Sequence, residues 1–274
     1  MRRRGELGPG ALIVSPTLAA IIVATLVSGA ASVLIAAWLS LSLLARVVQR
    51  LVSLSAGLLL ASALLNLLPE AFESGADLHS LSWALLGAVI AFFALEKFAV
   101  LRHSHHHEHD GHGHHHGHDR DEAGPAGLVV LVGDTIHNTA DGVMIAAAFL
   151  TDPVLGWITT AAIAAHEIPQ EIGDFIVLIN AGYTRRRALV YNLLSGVAAV
   201  LGGVVGYFAL EHGRTMLPYV LVVAAASFVY VALADLIPGL HRETRRDGEW
   251  FWQFALMLAG VAIISLSSTL LGAH

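Results

Sequence analysis

The chain contains no cysteine, which excludes thiolate metal ligands and leaves the redox compartment unread. Charge is scarce: 13% of the 274 residues are Asp, Glu, Lys or Arg. Only one of the basic residues is lysine, Lys97, against an arginine excess that points to a high-GC bacterial source. No basic patch suggests nucleic acid, so no nucleic-acid partner is expected. The formal net charge of −6 says little about partners. One absence is local. No Lys or Arg occurs between Arg120 and Arg185, a stretch that holds five carboxylates in apolar surroundings.

What the chain has in abundance is apolar length. Hydrophobic residues make up 56% of it, the composition of a polytopic membrane protein. Eight runs are long enough to span, at approximately 12–39, 50–69, 80–100, 126–150, 154–180, 187–211, 216–237 and 250–271. The reading is therefore an all-α integral membrane protein with eight transmembrane helices, a single transporter-like domain over residues 1–274. The first run follows Arg2, Arg3 and Arg4, as a signal peptide would, but is too long for one and reads as a retained helix. Positive charge sets the orientation. Arg46, Arg50, Lys97, Arg102, Arg120, Arg185–Arg187, Arg242, Arg245 and Arg246 fall on one side, which is read as cytoplasmic. The loops of the other side hold only Arg214, so both termini are expected outside the cytoplasm.

Within runs four and five lie Asp134, Asp141, Glu167, Glu171 and Asp174. A carboxylate at mid-membrane costs roughly 2.5–3.5 kcal/mol even on a gentle insertion scale. Such residues mark a solvated path, a proton relay or a bound cation. At about 100° per residue, Asp134, His137, Asn138 and Asp141 share one face of the fourth helix. His166, Glu167, Gln170 and Asp174 form a matching arc on the fifth, with Glu171 just beyond. The pairs His137/Asp141 and His166/Gln170 are one turn apart and can face each other. Two imidazoles, a carboxylate and an amide oxygen suit Zn²⁺, with Fe²⁺, Mn²⁺ and Cd²⁺ as alternatives. Pro169 removes a backbone donor and frees the carbonyl of Ala165. Asn66, Asn192, Ser195 and Asp235 are weaker polar positions, readable as path or as helix glue.

Residues 103–118 hold ten histidines among Gly, Asp and Glu. This composition has no packable face, so residues 103–125 read as a disordered cytoplasmic loop between spans three and four. Neutral imidazoles there suit metal buffering or sensing.

HNTADG at 137–142 and HEIPQEIGD at 166–174 resemble the metal-binding motifs of the ZIP (Zrt/Irt-like) transporters. The histidine-rich loop, the eight-span pattern and LLPEAFE at 67–73 are similar to the same family. The resemblance implies a 3+2+3 arrangement in which the first and last three helices form inverted repeats around helices four and five. It implies import of divalent metal, chiefly zinc, through a binuclear site between those helices, and it suggests a homodimer in a plasma membrane, here a bacterial inner membrane. One site would use His137, Asp141, His166 and Gln170. Its neighbour would use Asn138 and Glu167, with Asp141 bridging. Gln170 stands where some members have a third histidine, and Ala199 stands where others have a glutamate. With Ala199 there, one dominant intramembrane metal is expected, Glu171 partly substituting. No enzymatic activity is expected. The rival readings are a cation-diffusion exporter, for which the HxxxD spacing fits but a soluble domain is missing, and an intramembrane zinc hydrolase, whose HExxH pattern Gln170 interrupts.

Overall fold

A computed structural model describes residues 15–42, 45–104, 120–243 and 249–271. Among these residues there is no strand. Helix α1 (Pro16–Leu26) passes through a π turn (Val27–Ala31) into α2 (Ser32–Ser42). Helix α3 (Ala45–Ser62) passes through a second π turn (Ala63–Leu67) into α4 (Leu68–Glu73). Then follow α5 (Leu78–Ser104), α6 (Arg120–Thr151), α7 (Pro153–Asn180) and α8 (Arg185–His212). A short 3-10 turn (Arg214–Met216) leads into α9 (Leu217–Tyr230), a third π turn (Val231–Leu236) and α10 (Ile237–Glu243), and α11 (Glu249–Leu271) closes the order. Hydrocarbon offers no partner to a backbone amide, so an apolar chain that enters it must satisfy its own hydrogen bonds as helix.

Six of these helical stretches, among the described residues, are long and apolar enough to cross a membrane. They cover Pro16–Trp38, Val48–Glu73, Leu78–Leu95, Arg185–His212, Arg214–Leu240 and Trp250–Leu270. Helices α6 and α7 have the length, at 32 and 28 residues. Their acids, histidines and amides dilute the apolar content below that of the other six. The histidine-rich segment falls mainly on residues 105–119, outside the described residues. At its margins residues 103–104 belong to α5 and 120–125 to α6. Those margins are helical because an established helix propagates past its apolar limit more easily than a new turn nucleates.

The two polar helices are the inner ones. Ile145, Ala146, Ala147 and Ala148, four consecutive positions covering every side of α6, have no exposed surface. Helix α6 packs on α8, α7, α1 and α9, while α7 packs on α2 and α3. The bundle's periphery is apolar and open, as Trp83, Ile90 and Phe93 on α5 and Trp250, Phe254 and Leu266 on α11 show. That is the distribution expected when the outer solvent is lipid.

Local signals place the reversals. Asp152 caps α7, its carboxylate accepting from Val154 N at 2.7 Å and Leu155 N at 3.0 Å, and Pro153 occupies the first helical position. This turn is short enough to fold α7 back along α6. At the other end of α7, Tyr183 N donates to Leu178 O at 3.1 Å and Gly182 N to Ile179 O at 3.0 Å. Gly182 sits at φ +85°, the left-handed conformation this stop requires.

Pro169 lies inside α7 without ending it. The Ala165 carbonyl that it frees accepts from Ser55 Oγ on α3 at 2.5 Å, and the neighbouring Ala164 carbonyl lies 3.4 Å from Ser32 Oγ on α2. The carbonyl that Pro169 frees is thus occupied, and ties α7 to its neighbours just before His166.

Candidate metal site

Helix α6 reaches its position through close contact with α8. A Cβ added to Gly142 would lie 2.0 Å from Ala199 O, and one added to Gly202 would lie 2.0 Å from Thr139 O. Only glycine lets the two backbones approach this far. The contact fixes the rotation of α6, and with it the direction in which the residues beside Gly142 point.

Four side chains from α6 and α7 converge. His137 Nε2 lies 3.3 Å from His166 Nε2, 3.8 Å from Asp141 Oδ2 and 3.5 Å from Glu167 Oε1. His166 Nε2 lies 3.4 Å from Asp141 Oδ2 and 3.6 Å from Glu167 Oε1. The remaining pair, Asp141 and Glu167, has ligand atoms within 4.8 Å. A tetrahedral zinc ion with ligands at about 2.0–2.1 Å requires edges of about 3.3–3.4 Å. The five measured edges are at or slightly above that value, as expected of a ligand set that contracts on an ion. His166 is oriented for this: its Nδ1 lies 3.2 Å from Ala162 O, a carbonyl that can only accept, so Nδ1 carries the proton and Nε2 presents its lone pair. The Phe228 ring packs 6.2 Å from the His166 ring and backs it. His166, Asp141 and Glu167 are buried, whereas the His137 side chain is 24% exposed and is the accessible corner.

A second set adjoins the first. Carboxylate oxygens of Asp134, Glu167 and Glu171 lie within 4.8 Å of one another, all three residues buried. Glu167 therefore belongs to both sets. Asp134 Oδ2 and both carboxylate oxygens of Asp141, Glu167 and Glu171 have no hydrogen-bond partner. Buried carboxylates are normally paired, and so many orphaned oxygens in a region without Lys or Arg fit a cation better than any arrangement of the chain alone.

The positions read from the sequence divide as follows. His137, Asp141 and His166 meet as expected. Glu167 is the fourth corner of their set, the place the resemblance assigned to Gln170; Gln170 is half-buried and makes no hydrogen bond to any of the four. Asn138 donates its amide to Asp134 Oδ1 at 2.9 Å and to Asp134 O at 3.2 Å, holding that carboxylate in place. Glu171 joins the second set, and Asp174 follows it one turn further along α7, half-buried. Asp134 is the residue the sequence reading left out of its ligands. It was visible on the polar arc of the fourth helix, but it precedes the motif that carried the family resemblance. Asn192 and Ser195 of α8 complete the surroundings: Asn192 Nδ2 lies 3.4 Å from Glu171 O, and Ser195 lies beside Asp134.

Ala199 is almost wholly buried, and its carbonyl abuts Gly142. A glutamate at this position is therefore expected to disturb the crossing of α6 and α8. A longer side chain at this crossing has to push α6 from α8, and overpacking of this kind costs about 1–3 kcal/mol. The variant should melt at a lower temperature than the parent in detergent and bind zinc less well; unchanged melting with tighter binding would reverse this conclusion.

A family profile described as ZIP Zinc transporter matches residues 96–268, which include both motif helices. The chain belongs to this family. Its relatives include "Zinc transporter foi" of Drosophila melanogaster, 37% identical over 138 residues, which are 50% of this chain and 19% of that protein. Human "Zinc transporter ZIP6" is 39% identical over 155 residues, 54% of this chain and 20% of that protein. Rat "Zinc transporter ZIP4" is 41% identical over 117 residues, 41% of this chain and 17% of that protein. The matched segment thus spans about a fifth of the length of these curated relatives.

Proposed function

We propose that this chain carries zinc across a membrane into the cytoplasm, binding it between α6 and α7. The observation that carries this reading is the set of four ligand atoms from His137, Asp141, His166 and Glu167, five of their separations at 3.3–3.8 Å and the sixth within 4.8 Å. The relatives' printed names, all zinc transporters, support it. Glu167 bridges to Asp134 and Glu171, and Asp174 continues the series toward the end of α7 that leads to Arg185–Arg187 of α8, the side read as cytoplasmic. A shared carboxylate lets a cation move from one set to the next without leaving ligands altogether. An inside-negative potential of about 100 mV favours inward movement of a divalent ion by about 4.6 kcal/mol. Fe²⁺, Mn²⁺ and Cd²⁺ suit the same donors less selectively.

In this reading α6 and α7 also span, giving eight crossings in a 3+2+3 order with both termini outside. An internal repeat supports the order. The π turn Ala63–Leu67 is followed two residues later by Pro69, and the π turn Val231–Leu236 by Pro238, within Asn66-Leu67-Leu68-Pro69 and Asp235-Leu236-Ile237-Pro238. Proline cannot donate to the carbonyl four residues before it, so the helix loosens there. The first π turn packs on α9 and the other on α3, a reciprocal contact that two inverted copies would make.

Hydrolysis is the weaker reading because four protein ligands leave no open position for an activated water, and Glu167 sits at ligand distance from both imidazoles rather than apart as a base. The deciding experiment is uptake of radiolabelled Zn²⁺, Fe²⁺, Mn²⁺ and Cd²⁺ by the purified protein in liposomes, run beside a peptide-cleavage assay. Zinc uptake without cleavage is expected; cleavage without uptake would overturn the proposal. Deleting residues 103–118 should preserve uptake and reduce the zinc bound per chain, because a polar histidine-rich segment can concentrate ions without forming their path. Lost uptake in a correctly inserted deletion would place that segment in the mechanism. Anomalous diffraction from zinc-soaked crystals should show a dominant peak among His137, Asp141, His166 and Glu167, with a weaker one at Asp134 and Glu171. Equal peaks would mean that both ions are held rather than passed on.

A further inference from the structure

The outer half of the bundle holds polar groups that the metal site does not use. A cavity of about 730 Å³ opens between the end of α4, the start of α5, the end of α6 and the start of α9, and its lining includes Glu70, Asp77, Thr151 and Arg214. Asp77 accepts from Ser80 N at 2.8 Å and from Ser80 Oγ at 2.7 Å. These hydrogen bonds hold its carboxyl below the usual range, so it stays anionic at any physiological pH. By the charge asymmetry of the loops this is the extracytoplasmic face.

Beneath the cavity lie three buried polar side chains with unpartnered atoms: Ser62 Oγ, Asn66 Nδ2 and Thr159 Oγ1. Thr160 and Ser53 return their proton to a carbonyl one turn back, but Ser62 and Thr159 do not. The three sit at related depths. Helices α3 and α7 run antiparallel, with Ser55 against Ala165 and Leu58 and Ala61 packed with Ile158. That register brings Ser62 level with Ile158 and Thr159. Ser62, Asn66 and Glu70 follow one another every fourth residue through the π turn Ala63–Leu67, so they stay on one side of the rod. Thr159 precedes His166 by two turns on the same face of α7, about 10 Å away along the axis. Asn66 has a further property. The Ser268 hydroxyl lies 2.6 Å from the Asn66 amide and 2.9 Å from Ile264 O, and it has one proton. When that proton goes to Ile264 O, Asn66 must donate to Ser268 and turn its amide oxygen inward.

We propose that Ser62, Asn66 and Thr159 line a narrow passage that conducts a partly hydrated divalent cation from the outer cavity at Glu70 and Asp77 to the His137–His166 site. The proposal rests on the transport reading. Neutral oxygens suit this place, since they replace water around the ion in turn and release it. A carboxylate midway would hold the ion and compete with the site below. Helix glue would leave no atom spare, whereas Ser62 Oγ and Thr159 Oγ1 have no partner and Asn66, bonded to Ser268, keeps one amide group unpaired.

The native chain lacks cysteine and is a ready background for the test. Ser62→Cys and Thr159→Cys, in sealed proteoliposomes, should react with a charged methanethiosulfonate added from the cavity side at least tenfold faster than Ala63→Cys, whose side chain is packed in the apolar core. The variant Ser62→Ala, Asn66→Leu, Thr159→Val should take up zinc at least tenfold more slowly than the parent, while its zinc affinity in detergent, read by calorimetry, changes less than twofold. Uptake within twofold of the parent, or labelling no faster than at Ala63→Cys, would overturn the passage. A parent protein that carries no zinc would sink the transport reading instead, and the labelling rates would still report whether the passage admits polar solutes. Should the triple variant lose zinc binding through misfolding, labelling of the single cysteines decides alone.

Discussion

Replacing Glu167 with alanine is expected to lower zinc uptake more than a hundredfold and to abolish tight binding in detergent. Its Oε1 lies 3.5 Å from His137 Nε2 and 3.6 Å from His166 Nε2, and its carboxylate also lies within 4.8 Å of Asp134 and Glu171. Among the described residues, no other side chain belongs to both sets. Removing even an outer-shell partner of a metal ligand costs about 10–100-fold in affinity, so loss of a shared ligand should exceed that. Asp141→Ala and His166→Ala should each remove one corner of the first set and most of the uptake, with the protein still folded in the membrane. The distinguishing feature of Glu167→Ala is the loss of both anomalous peaks, where Asp141→Ala spares the weaker one. Uptake within a few-fold of the parent in Glu167→Ala would show that Gln170 holds the fourth corner after all. Calorimetry beside liposome uptake separates a binding defect from a transport defect.

The second large effect is expected from a residue that touches no ion. Gly142→Val should abolish zinc binding and lower the melting temperature in detergent. A Cβ at Gly142 would meet Ala199 O at 2.0 Å, Gly203 N at 2.6 Å and Ala199 C at 2.8 Å. These are main-chain atoms, which cannot rotate away as a side chain would. The helices must separate, and overpacking of this kind costs about 1–3 kcal/mol. Asp141 precedes Gly142 on the same turn, so it moves with the backbone. Metal–ligand distances tolerate deviations of about 0.2 Å, far less than the shift a methyl-sized wedge imposes. Gly202→Val, which collides with Thr139 O from the opposite helix, should behave alike. Gly133→Ala is the control on α6, because a Cβ there meets nothing within 4 Å. A Gly142→Val protein with parental melting and uptake would mean that the crossing of α6 and α8 opens without disturbing the site.

The pair of predictions separates two kinds of information. That α6 and α7 carry the chemistry was legible from composition: acids, histidines and amides inside apolar runs, with no Lys or Arg from Arg120 to Arg185, can exist only around a cation, protons or water. The helical period placed Asp134, His137, Asn138 and Asp141 on one arc and His166, Glu167 and Gln170 on another. His137, Asp141 and His166 meet as that arc implies. The starts of α1, α7 and α8 are set by the side-chain caps Ser15, Asp152 and Thr184.

An arc on a wheel is only about 100° per step, however, and cannot say which of two neighbouring residues reaches a point in space. His166, Glu167 and Gln170 span an arc within which a rotation of α7 by one residue exchanges ligand for bystander. That rotation is decided by contacts far apart in sequence. Ser55 and Ser32 hold the carbonyls near Pro169, Gly142 and Gly202 let α6 and α8 touch, and Ala162 O orients His166. With those contacts made, Glu167 closes the set with His137, Asp141 and His166, and Asp134 enters the second set. The sequence by itself determined that the chain is helical, lives in a membrane and keeps acids and histidines on two consecutive helices, because hydrocarbon penalises every alternative. Only the tertiary structure decided which ligands meet, because close backbone packing sets helix rotation and no local pattern encodes it.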